Sequence, residues 1–167
     1  MKKTLGLVLA LVMILTAVSA FAAIPSKTTD DLVTVTTENP NVTVVASEND
    51  SEAVTTLLTA LMENNAIPTA AAAVLPEGNT YTKVEEVATL KIIGGTAEED
   101  LTVNLKFPTD FSGKKVAVIL GVLDNGVIAE WKVVETVGKD DGSIDLTLDG
   151  EMQDWLNGRE FVALIAD

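Results

Sequence analysis

The clearest pattern of apolar and polar positions lies in the stretch 114–136, where two β-branched runs flank Asn125-Gly126. Asn-Gly between such runs favours a type I′ turn, because both central residues of that turn need a positive φ. The first run, 116–123, is apolar on both faces of the predicted strand. Such a strand belongs in the middle of a sheet covered on both sides, or at the seam of a sandwich. The stretch therefore predicts a β-hairpin at the centre of the fold.

Alternating segments predict strands along most of the remaining chain. Leu101–Phe107 alternates without a fault, which is typical of a strand with one buried and one wet face, and Phe161–Ile165 is apolar on both faces. In the second strand of the hairpin, Trp131 alternates with Ala129 and Val133 on a face that we expect in the core. The other predicted strands are Leu32–Thr37, Val42–Ala46, Val84–Ile93 and Ile144–Leu148.

One segment, about 51–65, has the periodicity of an amphipathic helix. Its apolar stripe consists of Val54, Leu57, Leu58, Leu61 and Met62. We expect the stripe to pack on a sheet, and the alternative is a helix that binds a partner. A short helix is predicted near 151–157, with Gly158 just after its end. The stretch 69–74 either extends the first helix or connects it to the next strand.

These elements together predict the fold class. Several short strands, frequent Gly, Asn and Asp turns and one long helix are typical of an antiparallel β-sandwich. We therefore expect a mainly β protein, an antiparallel β-sandwich with one packed amphipathic helix at about 51–65 and a short helix near 151–157.

Residues 1–22 have the pattern of a cleaved signal peptide. Lys2 and Lys3 begin it, an apolar run follows, and Ala20-Phe21-Ala22 places small residues at the −3 and −1 positions. The apolar run is shorter than the roughly 20 residues that a spanning helix needs, which favours cleavage over an uncut anchor. We expect a mature protein that begins at Ala23, has no membrane span, and is secreted, extracellular or associated with the cell envelope.

Cleavage of 22 of the 167 residues leaves 145, a length that suits a single domain, 23–167. Within it we distinguish a strand–helix N-terminal part, 23–82, from a β-sandwich core, 83–167. The Thr-rich stretch 23–47 predicts two strands, with a disordered stalk as the competing interpretation.

Composition excludes several kinds of chemistry. The formal net charge is −14, and it becomes −16 when Lys2 and Lys3 leave with the leader, so nucleic-acid binding is not expected. The chain has no Cys and no His, which excludes thiol chemistry, Ser–His triads and the usual zinc sites. The only arginine is Arg159. We assign no catalytic residue and no cofactor.

Carboxylates are the chemistry that remains. A glycosidase needs two of them at a fixed separation, but with 25 acidic residues chance pairs are frequent, and aromatic platforms for sugars are few. We expect no enzymatic activity. The acidic turn residues Asp140, Asp141 and Asp145 are candidate Ca²⁺ ligands, because Ca²⁺ prefers oxygen-rich turns, and the alternative is a solvated hairpin tip.

Trp155 is the most suggestive residue for binding a partner. It lies with Met152 and Arg159 on or beside the short predicted helix, and an aromatic, a Met and an Arg together fit the composition of a contact hot spot. The alternative is that Trp155 simply closes one end of the sandwich.

A series of segments in residues 100–167 carries a resemblance to a known family. The segments are Leu101–Phe107, Gly113-Lys114, Val116–Leu120, Trp131–Val134, Thr136-Val137-Gly138, Asp141–Leu148 and Val162–Ile165. In this order they resemble a β-sandwich (Ig-like) module of secreted and cell-surface proteins of Gram-positive bacteria. The resemblance implies a structural or interaction role and no catalytic residues. The insertion 150–158 departs from the pattern of the module.

The function that we expect is therefore that of an exported, non-enzymatic β-sandwich domain with a structural or interaction role at the cell surface or outside the cell. Its partner would be an unidentified protein or glycan. Two alternatives stay open. One is a small carboxylate-dependent, carbohydrate-active hydrolase, and the other is a subunit that exchanges a β-strand in a surface assembly, using Leu32–Ala46.

Overall fold

A computed structural model describes residues 19–20, 33–46, 52–94, 98–125 and 127–167. The strands are β1 (Ser19–Ala20), β2 (Val33–Thr37), β3 (Val42–Ala46), β4 (Val84–Gly94), β5 (Leu101–Lys106), β6 (Lys115–Asp124), β7 (Val127–Val137), β8 (Ile144–Leu148) and β9 (Glu160–Ala166). The helices are α1 (Glu52–Asn64), α2 (Thr69–Ala72) and α3 (Gly150–Leu156). The strands form two antiparallel sheets, ordered β1-β2-β5-β8 and β3-β4-β9-β6-β7, and the predicted β-sandwich is confirmed.

The main core lies between the two sheets. Alternate residues of β5 and β8 face alternate residues of β4, β6 and β9, and Phe111, Leu105 and Phe161 are among its fully buried side chains. Burying one such side chain stabilises the fold by about 1.5–3 kcal/mol. This cluster accounts for the strict alternation of the predicted strands.

A second apolar cluster lies on the other face of the larger sheet. There α1 contributes Val54 and Leu61, α2 contributes Ala71, and β6 contributes Ala117 and Ile119. The predicted packing of the amphipathic helix on a sheet is therefore confirmed. β6 is buried on both faces because one face meets the smaller sheet and the other meets the helices, as its two-sided apolar pattern predicts.

The predicted hairpin joins β6 and β7. Asp124 pairs with Val127, and Asn125 has a φ of 49°, as a type I′ turn requires; Gly126 lies outside the described residues. The pairing shifts at Val122, which leaves Ala129 as the extra residue of a β-bulge on β7.

The bulge corrects the predicted alternation in β7: Ala129 does not share the face of Trp131 and Val133. Ala129 is exposed, whereas Ile128 and Trp131 share a face and pack in the cluster under the helices, not between the sheets. Trp131 is half-buried, and its ring lies over Gly121, where an added Cβ would come within 2.6 Å of it. A regular alternation across the hairpin does not anticipate this, because a bulge reverses the phase of the strand.

Three of the helix ends have well-defined signals, of which the sequence predicted Gly158 after the short helix. Asn65 has a φ of 49° just after α1, and Gly158 has a φ of 72° after α3. Asp149 caps α3, since its carboxylate accepts a hydrogen bond of 2.8 Å from the backbone N–H of Met152. The stretch 69–74 contains the separate short helix α2. Asn49, Asp50 and Ser51, which precede α1 and could cap it, lie outside the described part of the chain.

The strands before α1 are built into both sheets. β2 pairs with β5 and β3 pairs with β4, and Val33, Val42 and Val44 are buried in the main core. Both predicted strands are confirmed, and residues 23–32 lie outside the described part of the chain. Of the expected leader, only β1 is described, and it pairs with β2. None of the described helices has the length and apolarity to cross a membrane.

Candidate functional site

A groove runs along the outer edge of β7. Among the described strands, β7 is the last of the larger sheet and pairs only with β6. The groove has a volume of about 580 Å³ and is lined by four consecutive β7 residues, Trp131–Val134. Because successive side chains of a strand point to opposite faces, a space that touches all four must lie along the strand edge and not over one face. We call Trp131–Val134 the open segment and this space the β7 groove.

Other elements supply the walls of the β7 groove. One wall consists of the end of β8 and the start of α3, with Thr147, Asp149, Glu151 and Met152. Val74, which follows α2, and Asp100, which precedes β5, complete the lining. Residues that are far apart in the sequence therefore meet here because the two sheets end side by side.

Hydrogen bonds hold α3 in place as a wall. The buried Gln153 side chain donates to the carbonyl oxygens of Leu148 at 3.2 Å and Glu99 at 2.6 Å, which ties the helix to the ends of β8 and β5. Together with the Asp149 cap, these bonds fix the helix although it is only seven residues long. The wall is therefore part of the packed structure.

Trp155 and Lys132 link α3 to β7. The Trp155 indole N–H donates to Glu130 Oε2 at 2.9 Å, and Lys132 Nζ lies 5.0 Å from the centre of the Trp155 ring. Lys132 Nζ also pairs with Glu151 Oε1 at 3.1 Å. The Glu151 side chain is 86% exposed, so the ion pair adds less than about 1 kcal/mol, and its main effect is to orient Lys132.

The structure brings the predicted partner-binding residues together on and after α3, but in different environments. Met152 packs in the main core and is buried. Trp155 is half-buried against the same core, and Arg159 Nη1 donates to its carbonyl oxygen at 3.2 Å. Of the three, Trp155 and Arg159 keep part of their side chains at the surface.

The three candidate Ca²⁺ ligands do not converge. Asp141 accepts hydrogen bonds from the Ser143 hydroxyl (2.6 Å) and backbone N–H (2.9 Å), which hold the pKa of the Asp141 carboxyl below its ordinary value. Asp145 is engaged by Lys139 at 3.2 Å, and Asp140 is exposed. Across the described ranges, no group of three or more acidic side chains is placed to hold a metal ion.

The turns at the carboxyl end of β7 are interlocked. Gly138 directly follows β7 and lies so close to Phe111 that an added Cβ would be 1.9 Å from the Phe111 carbonyl oxygen. The Gly113 N–H donates to the Gly138 carbonyl at 3.0 Å. Ser112 donates to Asp110 in the same way as Ser143 does to Asp141, and these bonds lower the pKa of Asp110. Acidic residues in these turns therefore serve the turns themselves.

Glu135 is engaged on the carboxyl half of β7. The Tyr81 hydroxyl donates to Glu135 Oε1 at 2.6 Å, and Lys115 Nζ pairs with it at 2.7 Å. Hydrogen bonds from Lys115 and then from Tyr81 lower the pKa of the Glu135 carboxyl, whereas burial and Glu135 raise the pKa of Tyr81. This half of β7 is tied to the rest of the protein, in contrast to the open segment.

Sequence reasoning did not find the β7 groove. The available signal was the difference between the two hairpin strands: the first is apolar on both faces, whereas the second contains Glu130, Lys132 and Glu135. Charged residues along one strand of a hairpin are typical of a sheet edge. The groove itself depends on residues at 74, 100 and 147–152, whose proximity no local pattern indicates.

Comparisons with known proteins add no assignment. No family model, no curated protein and no solved structure matches this chain. The resemblance of residues 100–167 to an Ig-like module therefore stays a prediction, and the function has to be argued from the chemistry of the β7 groove.

Proposed function

We propose that this chain is an exported, non-enzymatic β-sandwich domain that binds a macromolecule in its β7 groove, at the cell surface or outside the cell. The observation that carries the proposal is the position of the groove along an open strand edge. Edge strands that bind nothing are usually short, covered or interrupted along their length, whereas the bulge at Ala129 and β8 limit the edge of β7 at its two ends and leave the open segment between them. β7 has eleven residues, and its open segment faces a groove with apolar and charged walls.

The sequence supports the exported location. The leader pattern in residues 1–22 and the absence of Cys fit a protein that leaves the cell without depending on disulfides. The net charge of −14 supports a partner other than nucleic acid or an anionic membrane.

The chemistry of the groove favours binding over hydrolysis. Hydrolysis of a glycosidic bond by the usual route needs two available carboxyl groups across a cleft. Of the three carboxylates that line the groove, Asp149 caps α3 and Glu151 pairs with Lys132, which leaves Asp100. Glu86, a buried carboxylate on β4, accepts a hydrogen bond from Thr109 and does not line the groove.

The packing of β2 and β3 favours an acceptor role over strand donation by Leu32–Ala46. If these strands left for a partner, they would withdraw Val33, Val42 and Val44 from the main core and leave cavities behind. A partner at β7 requires no such loss. We therefore place the binding site at β7.

Site-specific photo-crosslinking tests the proposal. A photoreactive amino acid at Thr147, in the groove wall, is compared with the same amino acid at Thr43, an exposed residue of β3 on the opposite edge of the larger sheet. In cultures of the organism that encodes the chain, we expect a discrete adduct from Thr147 and none from Thr43. Equal adducts from both positions, or none from Thr147, would contradict the proposal. Hydrolysis of chromogenic glycosides by the protein would favour the hydrolase instead.

A further inference from the structure

The geometry points to an extended polypeptide with basic side chains as the occupant of the β7 groove, added to β7 as a further strand of the larger sheet. This inference rests on the proposed function, because it names the class of partner that the same groove binds.

The backbone of the open segment offers hydrogen bonds that a polypeptide satisfies. An edge strand directs about half of its N–H and C=O groups away from its neighbour. The backbone of Trp131–Val134 pairs with β6 on one side. Within the described part of the chain, no hydrogen bond reaches its backbone groups on the other side. An added strand pairs with such groups, whereas a glycan has no matching series of alternating donors and acceptors.

The open segment has defined limits. On one side, the β-bulge at Ala129 interrupts the edge. On the other side β8 covers β7, since the Thr136 hydroxyl donates to the Asp145 carbonyl oxygen at 3.1 Å. Between these limits the four residues Trp131–Val134 span roughly 13 Å at the usual rise of a strand. The site therefore fits a short extended segment of about the same number of residues.

The groove also has side-chain preferences. Val133 belongs to the cluster under the helices and Val134 to the main core, so an added strand meets an apolar residue on each face. Asp100, Asp149 and Glu151 surround the open segment, and among the described lining residues Lys132, which is already paired with Glu151, is the one cation. Asp100 is exposed and has no ion pair with any described residue. A Lys or Arg in the added strand complements this excess of negative charge.

The same charge disfavours a second copy of this chain as the occupant. Two copies would bring their acidic groove walls together, and each copy carries a net charge of −14. Repulsion of this kind opposes association of the copies. The same negative charge attracts a basic partner and accelerates its encounter.

Titration of the purified, ¹⁵N-labelled exported protein with short peptides tests the inference. The probe is Ac-Val-Lys-Val-Lys-Val-NH₂, and the controls are its Glu analogue, an N-methylated basic analogue without backbone donors, and a tetramer of N-acetylglucosamine. We expect the basic peptide to shift the amide resonances of Trp131–Val134 and to slow exchange of their outward amides. The acidic and N-methylated peptides should bind about tenfold or more weakly, which corresponds to the loss of ~1.4 kcal/mol.

A matched pair of variants locates the charge preference. Asp100→Asn should weaken binding of the basic peptide about threefold, the effect of one lost exposed charge pair. Asp154→Asn, an exposed position of α3 that does not line the groove, should leave the affinity unchanged. Equal effects of both variants would show attraction by net charge alone and would overturn the assignment to the groove.

The remaining outcomes separate this inference from the proposed function. The inference is wrong if no peptide shifts these resonances at millimolar concentration, if the N-methylated peptide binds equally well, or if only the sugar tetramer binds. It is also wrong if the same resonances shift with protein concentration alone, which would indicate pairing of two copies. In each of these cases a crosslinked adduct at Thr147 would still support the proposed function, and the absence of that adduct would remove both.

Discussion

The two edge strands of the larger sheet, β3 and β7, differ in whether the neighbouring strand of the smaller sheet has the same length. β3 follows β2 through the turn 38–41, and both strands have five residues. β7 precedes β8 through the turn 138–143, but β7 has eleven residues and β8 has five. Each turn carries the chain from one sheet to the other. On the β3 side the strands end together, whereas on the β7 side part of the longer strand extends past its neighbour.

This difference in length explains where the groove lies. Val42 and Val44 of β3 are buried in the main core, so that edge is part of the closure of the sandwich. At β7, α3 packs beyond the end of β8, and the β7 groove remains between the helix and the strand edge. An open edge thus arises here from unequal strands at one side of a sandwich.

The largest expected effect comes from removing the closed edge. A chain without residues 23–47 loses β2 and β3 and, with them, three buried valines of the main core; we expect it not to fold cooperatively. Far-UV circular dichroism with thermal melting measures this. Val127→Thr, at a 58% exposed position of β7 outside the open segment, is the comparison on the opposite edge strand and should alter stability by less than about 0.5 kcal/mol. Normal folding of the deleted chain would show that the β3 edge is not needed to close the sandwich, and it would favour donation of Leu32–Ala46.

The next effect concerns the turn that ends β7. Gly138→Ala places a Cβ 1.9 Å from the Phe111 carbonyl oxygen, and because this atom belongs to the backbone it cannot move aside easily. We expect a loss of about 3 kcal/mol of unfolding free energy, measured by urea denaturation. Gly113→Ala is the control: its φ is 67° but the space is open, so a loss of about 1 kcal/mol is expected. Equal losses would mean that the contact with Phe111 does not fix the end of β7.

A smaller effect is expected at the groove wall. Asp149→Ala removes the cap of α3 and should reduce the unfolding free energy by about 1 kcal/mol. Amide exchange of Met152 should accelerate at the same time, because its N–H loses its acceptor. Asp154→Ala, an exposed position of the same helix, should change neither quantity. A wall that is unaffected by loss of the cap would show that packing alone holds α3.

The smallest effect is electrostatic and concerns the tied half of β7. Lys115→Met removes the first cause of the lowered pKa of Glu135, so this pKa should move up towards the ordinary value of 4.5. A carboxyl group whose pKa is lowered in the folded state stabilises the fold when the pH is above the ordinary pKa. The difference in stability between the wild-type protein and Lys115→Met should therefore disappear as the pH falls through the lowered pKa of Glu135. Carboxyl ¹³C titration follows Glu135 directly. Tyr81→Phe, which removes the second cause, should give a smaller shift in the same direction, and no shift in either variant would contradict these contacts.

Most of the strands followed from the sequence because burial on one face forces alternation. Ile144–Leu148 was predicted with the bounds that the structure has, and the two-sided apolar pattern of β6 placed that strand inside the larger sheet. Asn125-Gly126 gave the hairpin, since few other pairs accept positive φ at both positions. These are local consequences of side-chain chemistry.

The candidate site could not be derived in the same way. The bulge at Ala129 leaves no sign in composition, yet it removes Ala129 from the face of Trp131 and decides that this face lies under the helices. Asp140, Asp141 and Asp145 are candidate Ca²⁺ ligands in the sequence, because the sequence does not show that Ser143 engages Asp141 and Lys139 engages Asp145. The groove depends on the unequal lengths of β7 and β8 and on which strand is last in its sheet, and both are properties of topology.

Native-state amide hydrogen exchange of the free protein shows whether the edge of β7 is open at Trp131–Val134. We expect alternate amides of this segment, those turned away from β6, to exchange with little protection. The intervening amides, which pair with β6, should be protected, as should every amide of β9 in the centre of the sheet. Uniform protection across Trp131–Val134 would contradict the account.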